Sequence, residues 1–93
     1  MNRVAIFAHY DKKNIIDDYV IFYIQELKKI ANEVIFVSCC DLSKEELDKL
    51  DCYKIAQKHE EYDFGSYKRG FDFAEEKKLL NNCDELIFAN DSC

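Results

Sequence analysis

Three uninterrupted apolar runs constrain this chain more than anything else in it: Val4-Ala5-Ile6-Phe7-Ala8, Val34-Ile35-Phe36-Val37 and Leu86-Ile87-Phe88-Ala89. A strand with one face in water alternates apolar and polar residues. A continuous run needs both faces covered, as happens in parallel sheets held between helix layers. Tyr53-Lys54-Ile55-Ala56-Gln57 is a weaker, alternating run that suits an edge strand. Helical patterns fill the intervals, so the order is strand-helix-strand-helix-strand-helix-strand. Such alternation implies right-handed crossovers and a parallel sheet. The expected fold is α/β and Rossmann-like, a four-stranded parallel sheet with helices on both faces, formed by residues 1–93 as one domain. Strands are predicted over 3–8, 33–38, 53–57 and 85–90, the last beside the first.

The helices carry their own signals. Asn14 can cap the first, with Asp17 and Asp18 favourable at its positive end. Ile16, Val20, Tyr23, Ile24, Leu27 and Ala31 then recur at three and four, giving one apolar face. Lys28 and Lys29 suit the last turn, and Asn32 can end it. Ser43 with Glu46 makes a capping box for a short second helix, with Leu42 able to staple onto Leu47. The third is predicted from Ser66 to Leu80, burying Tyr67, Phe71 and Ala74, with Asn81-Asn82 closing it.

Composition removes several function classes. A formal charge of −6 leaves no basic stripe to neutralise a nucleic acid. Five cysteines in no repeating pattern, with Cys39 and Cys40 adjacent rather than C-x-x-C, give neither a redox motif nor zinc-ligand spacing. Free thiols in a reducing cytoplasm are the simpler reading, with no signal peptide apparent. The apolar runs are far short of a membrane span. No G-x-G-x-x-G follows the first strand, and there is no P-loop.

Ligands of open α/β sheets bind beyond the carboxyl ends of the strands. That rule selects four loops: residues 9–14, 38–41, 59–66 and 90–93. In the first, Tyr10 can stack on a nucleobase while Asp11 accepts hydrogen bonds from base or ribose. In the third, Asp63-Phe64-Gly65-Ser66 leads toward a helix N-terminus. Gly65 would allow close backbone approach there, and the N–H groups would attract phosphate. Lys68 and Arg69 add positive charge. Asp91, after the last strand, would hold a divalent cation, Mn²⁺ or Mg²⁺, against diphosphate oxygens. Each residue also has a structural role open to it. Tyr10 can pack in its loop, Asp63 or Ser66 can cap a helix, and Lys68 and Arg69 can form a solvated face. His9 and His59 suit hydrogen-bonded structural positions better than those of bases.

Ala8-His9-Tyr10-Asp11-Lys12 and Ile15-Ile16-Asp17-Asp18-Tyr19-Val20 resemble segments of the rhamnan synthesis protein F family of bacterial glycosyltransferases. So do Tyr62-Asp63-Phe64-Gly65-Ser66-Tyr67-Lys68 with Gly70, and Asp84-Glu85-Leu86-Ile87 running into Asn90-Asp91-Ser92. The four blocks span nearly the whole chain. The resemblance implies a GT-A-like donor domain that binds a nucleotide-sugar, dTDP-rhamnose among the options, in cell-surface polysaccharide or lipopolysaccharide biosynthesis. It implies that His9, Tyr10 and Asp11 line the base and ribose end and that Asp63 and Gly65 wrap the diphosphate. Asn90-Asp91-Ser92 would stand where the D-x-D metal motif stands, with only its central residue acidic. A glycan or lipid-linked acceptor would be bound by later sequence, so the chain is expected to be the donor-binding half of a longer transferase, inactive alone. Its implied location is the cytoplasm, peripherally at the inner face of the cell membrane. Self-association through the exposed last strand is expected. The rival reading is a non-catalytic α/β binding module, a remnant of the same family.

Overall fold

The structure, a computed structural model, describes residues 2–58, 60 and 62–90. Its elements are β1 (Arg3–His9), α1 (Asp18–Ile30), β2 (Glu33–Ser38), α2 (Lys44–Leu47), β3 (Tyr53–Ala56), α3 (Tyr62–Glu76) and β4 (Glu85–Asn90). The four strands form one parallel sheet in the order β3-β2-β1-β4. The last strand does lie beside the first, with Ile6 opposite Phe88 on one side and Ile35 on the other.

The two most apolar strands are the two central ones. In β1 and β2 every residue but the first is buried, as uninterrupted apolar runs require. Alternate side chains feed two separate cores. Ala5, Phe7, Val34 and Phe36 meet Val20, Ile24 and Leu27 of α1, with Leu42 and Leu50 flanking α2. Val4, Ile6, Ile35 and Val37 meet Ala74 of α3 on the opposite face. Topology explains this division. From β1 the chain steps one way to β2 and β3, then returns across the sheet to β4. Crossovers of one hand running in opposite directions must lie on opposite faces. The reversal falls between β1 and β4.

Three local expectations are corrected. First, α1 begins at Asp18, with Asp17 as an extended N-cap lacking a side-chain cap bond, rather than after Asn14. Asn14 instead adopts a left-handed conformation (φ 55°), its N–H donating to the Asp11 carbonyl at 3.1 Å. The cause is tertiary. Ile16 is fully buried as a loop residue, and its N–H donates to Glu46 Oε1 at 2.7 Å while its carbonyl accepts from Lys49 Nζ at 3.1 Å. At the other end Ala31, not Asn32, is the C-cap, and Asn32 Oδ1 accepts from the Arg3 N–H at 2.9 Å.

Second, the capping box of α2 is half made. Ser43 Oγ accepts from the Glu46 N–H at 3.2 Å, but the Glu46 carboxylate turns to Ile16. Third, α3 starts at Tyr62, a turn earlier than predicted, and ends at Glu76, with Lys78 left-handed just beyond. Over residues 65–76 the buried ones are Gly65, Ser66, Gly70 and, as expected, Ala74, with Tyr67 half-buried, whereas Phe71 is 38% exposed. Small side chains let this helix lie close on the sheet. A Cβ on Gly70 would stand 2.5 Å from Ile6 Cγ2 and 3.1 Å from Val37 Cγ2.

Candidate functional site

Beyond the carboxyl ends of β1, β2 and β3 lies a cleft of about 350 Å³ lined by residues 10–12, Asn14, residues 39–41, Lys58 and Glu60. Parallel strands place their outgoing loops at one end of the sheet, so three loops that follow strands meet here. The floor is a tight polar network. His9, 2% exposed, sits beneath the rim with its ring against Phe36. Its Nδ1 lies 2.8 Å from Ser38 Oγ and its Nε2 3.1 Å from the Ile15 carbonyl. A carbonyl only accepts, so Nε2 carries a proton. Ser38 Oγ accepts from the Cys40 N–H at 3.0 Å, which leaves its own proton for Nδ1.

The two cysteines extend this network upward. Cys39 donates its N–H to the His9 carbonyl at 3.2 Å, with Sγ 3.5 Å from the same oxygen. Cys40 Sγ accepts from the Asp11 N–H at 3.2 Å and donates to the Asp11 carbonyl at 3.4 Å. Asp11 Oδ1 in turn accepts from the Lys13 N–H at 2.7 Å, the local turn typical of aspartate. The loop after β1 is thus fixed from below by β2 and from the side by α2.

That lateral clamp titrates. Hydrogen bonds from Lys49, foremost, and from the Ile16 N–H hold the Glu46 carboxyl below the usual range. A depressed folded-state value contributes stability that is complete above the unfolded value and is lost as pH falls through the folded one. We therefore expect the Ile16 amide proton, followed by NMR, to move with a midpoint below that of an ordinary glutamate. The Glu46→Gln variant should abolish that titration while keeping the loop in place. An Ile16 resonance indifferent to acid would refute the clamp.

Of the residues singled out from the sequence, Tyr10 and Asp11 line the cleft, with Tyr10 45% exposed. His9 supports it from below. Gly65, Ser66 and Lys68 are not among its lining residues. With Asp63, they are inside α3. Gly65 and Ser66 are buried and Lys68 is exposed. Because α3 starts at Tyr62, the N–H groups left without intrahelical partners belong to its first turn rather than to Ser66 and Lys68. Arg69 folds back along its helix, Nη1 donating to the Gly65 carbonyl at 3.0 Å.

Asp91 and His59 lie outside the described residues. Among the described residues no three His, Cys, Asp or Glu side chains are grouped to hold a metal ion, so they do not assemble the donor set a divalent cation needs. At the β1–β4 reversal, Tyr67 Oη donates to the Ala89 carbonyl and accepts from Asn90 Nδ2, each at 3.3 Å. Cys39, Cys40 and Lys58 were given no role from sequence. Their place directly after β2 and β3 is the only signal that marks them.

A second cleft, about 310 Å³, opens at the opposite end of the sheet between Lys28, Ala31, Val34, Cys52 and Tyr53. Asn32, Glu33 and Asp51 also line it, but it lies at the amino ends of the strands, and its lysine, Lys28, is held by the Asp51 carbonyl at 2.7 Å and carboxylate at 3.2 Å. Burial pushes the Cys52 thiol there up to about 11, against the opposing pull of Lys54 and Lys28, which leaves it a poor nucleophile. No described helix is long and apolar enough to cross a membrane. Comparison of the chain with family models, with curated proteins and with solved structures gives no match in any of the three.

Proposed function

We propose that this chain is the donor-binding part of a glycosyltransferase that takes a nucleotide-sugar in cell-surface polysaccharide or lipopolysaccharide synthesis. One observation carries the reading. An exposed aromatic ring, two lysines and three carboxylates, Asp11 among them, converge on one cleft at the carboxyl end of a parallel sheet. Its volume falls within the range of small-ligand pockets, about 300–1,000 Å³. In this reading Tyr10 is the platform for the base and Asp11 accepts from the ribose hydroxyls. Lys12 and Lys58 face the diphosphate as point charges. Gly65 and Ser66, inside α3, act by letting that helix approach the sheet rather than by wrapping phosphate. A dTDP-sugar is one candidate donor, with a glycan or lipid-linked acceptor, and no step here is routed through a metal.

Asp41 and Glu60 at the same rim favour a second reading, a non-catalytic α/β binding module for a less anionic ligand. Calorimetric titration with UDP, GDP and dTDP separates the two. The transferase reading predicts measurable binding of at least one diphosphate, weakened about tenfold by Tyr10→Ala through loss of base stacking. Lys12→Ala should weaken binding and flatten its salt dependence. Absence of binding by all three nucleotides would overturn the reading.

A further inference from the structure

We propose that α1 is the contact of a two-fold homodimer in which two copies of this helix pair antiparallel. The first observation is its outer face. α1 already buries Val20, Ile24 and Leu27 against the sheet. Beside that face, beyond half-buried Tyr23, it presents Tyr19 (53% exposed), Phe22 (61%) and Ile30 (53%). These three, with Glu26 between Phe22 and Ile30, recur at three and four and form a second stripe along the helix. Single exposed apolar residues are ordinary, but an apolar arc wider than the sheet can cover leaves its outer part to be covered by something else.

The second observation, charge, selects the occupant. Asp18 and Lys29 are about three turns apart and stand along one flank of the stripe, one at each end. A two-fold axis perpendicular to antiparallel helices brings the same flank of both copies to the same side. Asp18 of each copy then meets Lys29 of the other, and the stripe's centre falls on the axis. Opposed helix dipoles add to the match. Lys29 already pairs with Glu26 of its own helix at 2.6 Å, so the second carboxylate would complete a small network across the seam. Parallel pairing would set Asp18 against Asp18 and Lys29 against Lys29. A self-complementary patch of this kind is what an isologous interface requires.

Sedimentation velocity over a range of concentrations, on the full chain, tests the proposal. The wild type should show a reversible monomer–dimer equilibrium. Phe22→Ser, a surface change whose fold circular dichroism can verify, should raise the dissociation constant about tenfold or more. Asp18→Lys alone and Lys29→Asp alone should each weaken the dimer, and the double exchange D18K/K29D should restore it. Only antiparallel self-pairing gives that rescue. A monomer at every concentration would overturn the proposal, as would a dimer indifferent to Phe22→Ser, or one lost instead on changing Phe88 at the open edge of β4.

Discussion

Gly70→Leu is expected to lower the melting temperature by about 15 °C or more, or to prevent folding altogether. The glycine is needed for space rather than for backbone conformation, since no described glycine has a positive φ. Even a single Cβ would stand 2.5 Å from Ile6 Cγ2, and Ile6 is fully buried at the centre of the sheet. Ile6 has nowhere to retreat, because Val37 lies beside it and α3 lies above. Overpacking by added methylenes costs about 1–3 kcal/mol and more where nothing yields. A chain of this length holds on the order of 5–10 kcal/mol in all. Gly70→Ala is milder, because Ala gains about 1 kcal/mol of helix propensity against the same clash. Phe71→Leu, one position on and exposed, should be nearly silent, within about 0.5 kcal/mol. Thermal unfolding of the three variants checks the order Leu, then Ala, then Phe71→Leu. A stable Gly70→Leu protein would mean that α3 does not rest on Ile6.

His9→Leu is the second large effect, expected to cost about 2–5 kcal/mol of stability by urea denaturation. The imidazole bridges Ser38 Oγ and the Ile15 carbonyl while 2% exposed. Leucine matches much of its bulk but leaves a buried hydroxyl without it, at about 1–3 kcal/mol, and a part-buried carbonyl, at the lower end of that range. Adding Ser38→Ala should recover part of the loss, because removing both partners of a buried bond costs less than removing one. The recovery is incomplete, since Ser38 Oγ also accepts from the Cys40 N–H. A loss below about 0.5 kcal/mol for His9→Leu would show the network to be incidental.

These two residues show what could be read from the chain alone. The strands were legible because continuous apolar runs have one economical explanation, and the position of β4 beside β1 followed from placing the most apolar strand at the centre of the sheet. The start of α1 was not. Asn14, Asp17 and Asp18 are compatible with two starts, and the choice is made by Glu46 and Lys49, which hold the Ile16 peptide from another element. The buried face of α3 was misread for a related reason. Ala74 is buried as expected and Tyr67 packs against the core, but apolar periodicity also selected Phe71, whereas close approach to a sheet selects Gly65, Ser66 and Gly70.

The site divides in the same way. That Tyr10 and Asp11 stand at the carboxyl-end cleft was legible because they directly follow a central strand. Lys58 and Cys40 reach the cleft through the packing of three loops, which no single segment encodes. Gly65 and Ser66 were placed at a helix start only because the extra turn of α3 could not be seen.

The central claim is that the cleft above His9 receives a nucleoside diphosphate. Its most direct test is a titration of the ¹⁵N-labelled chain with dTDP and UDP, followed residue by residue through amide chemical shifts. The account predicts saturable shifts concentrated on residues 10–14, 39–41 and Lys58, reduced in Tyr10→Ala. Shifts centred instead on Lys28, Ala31, Cys52 and Tyr53 at the far end of the sheet, or no shifts at millimolar nucleotide, would contradict it.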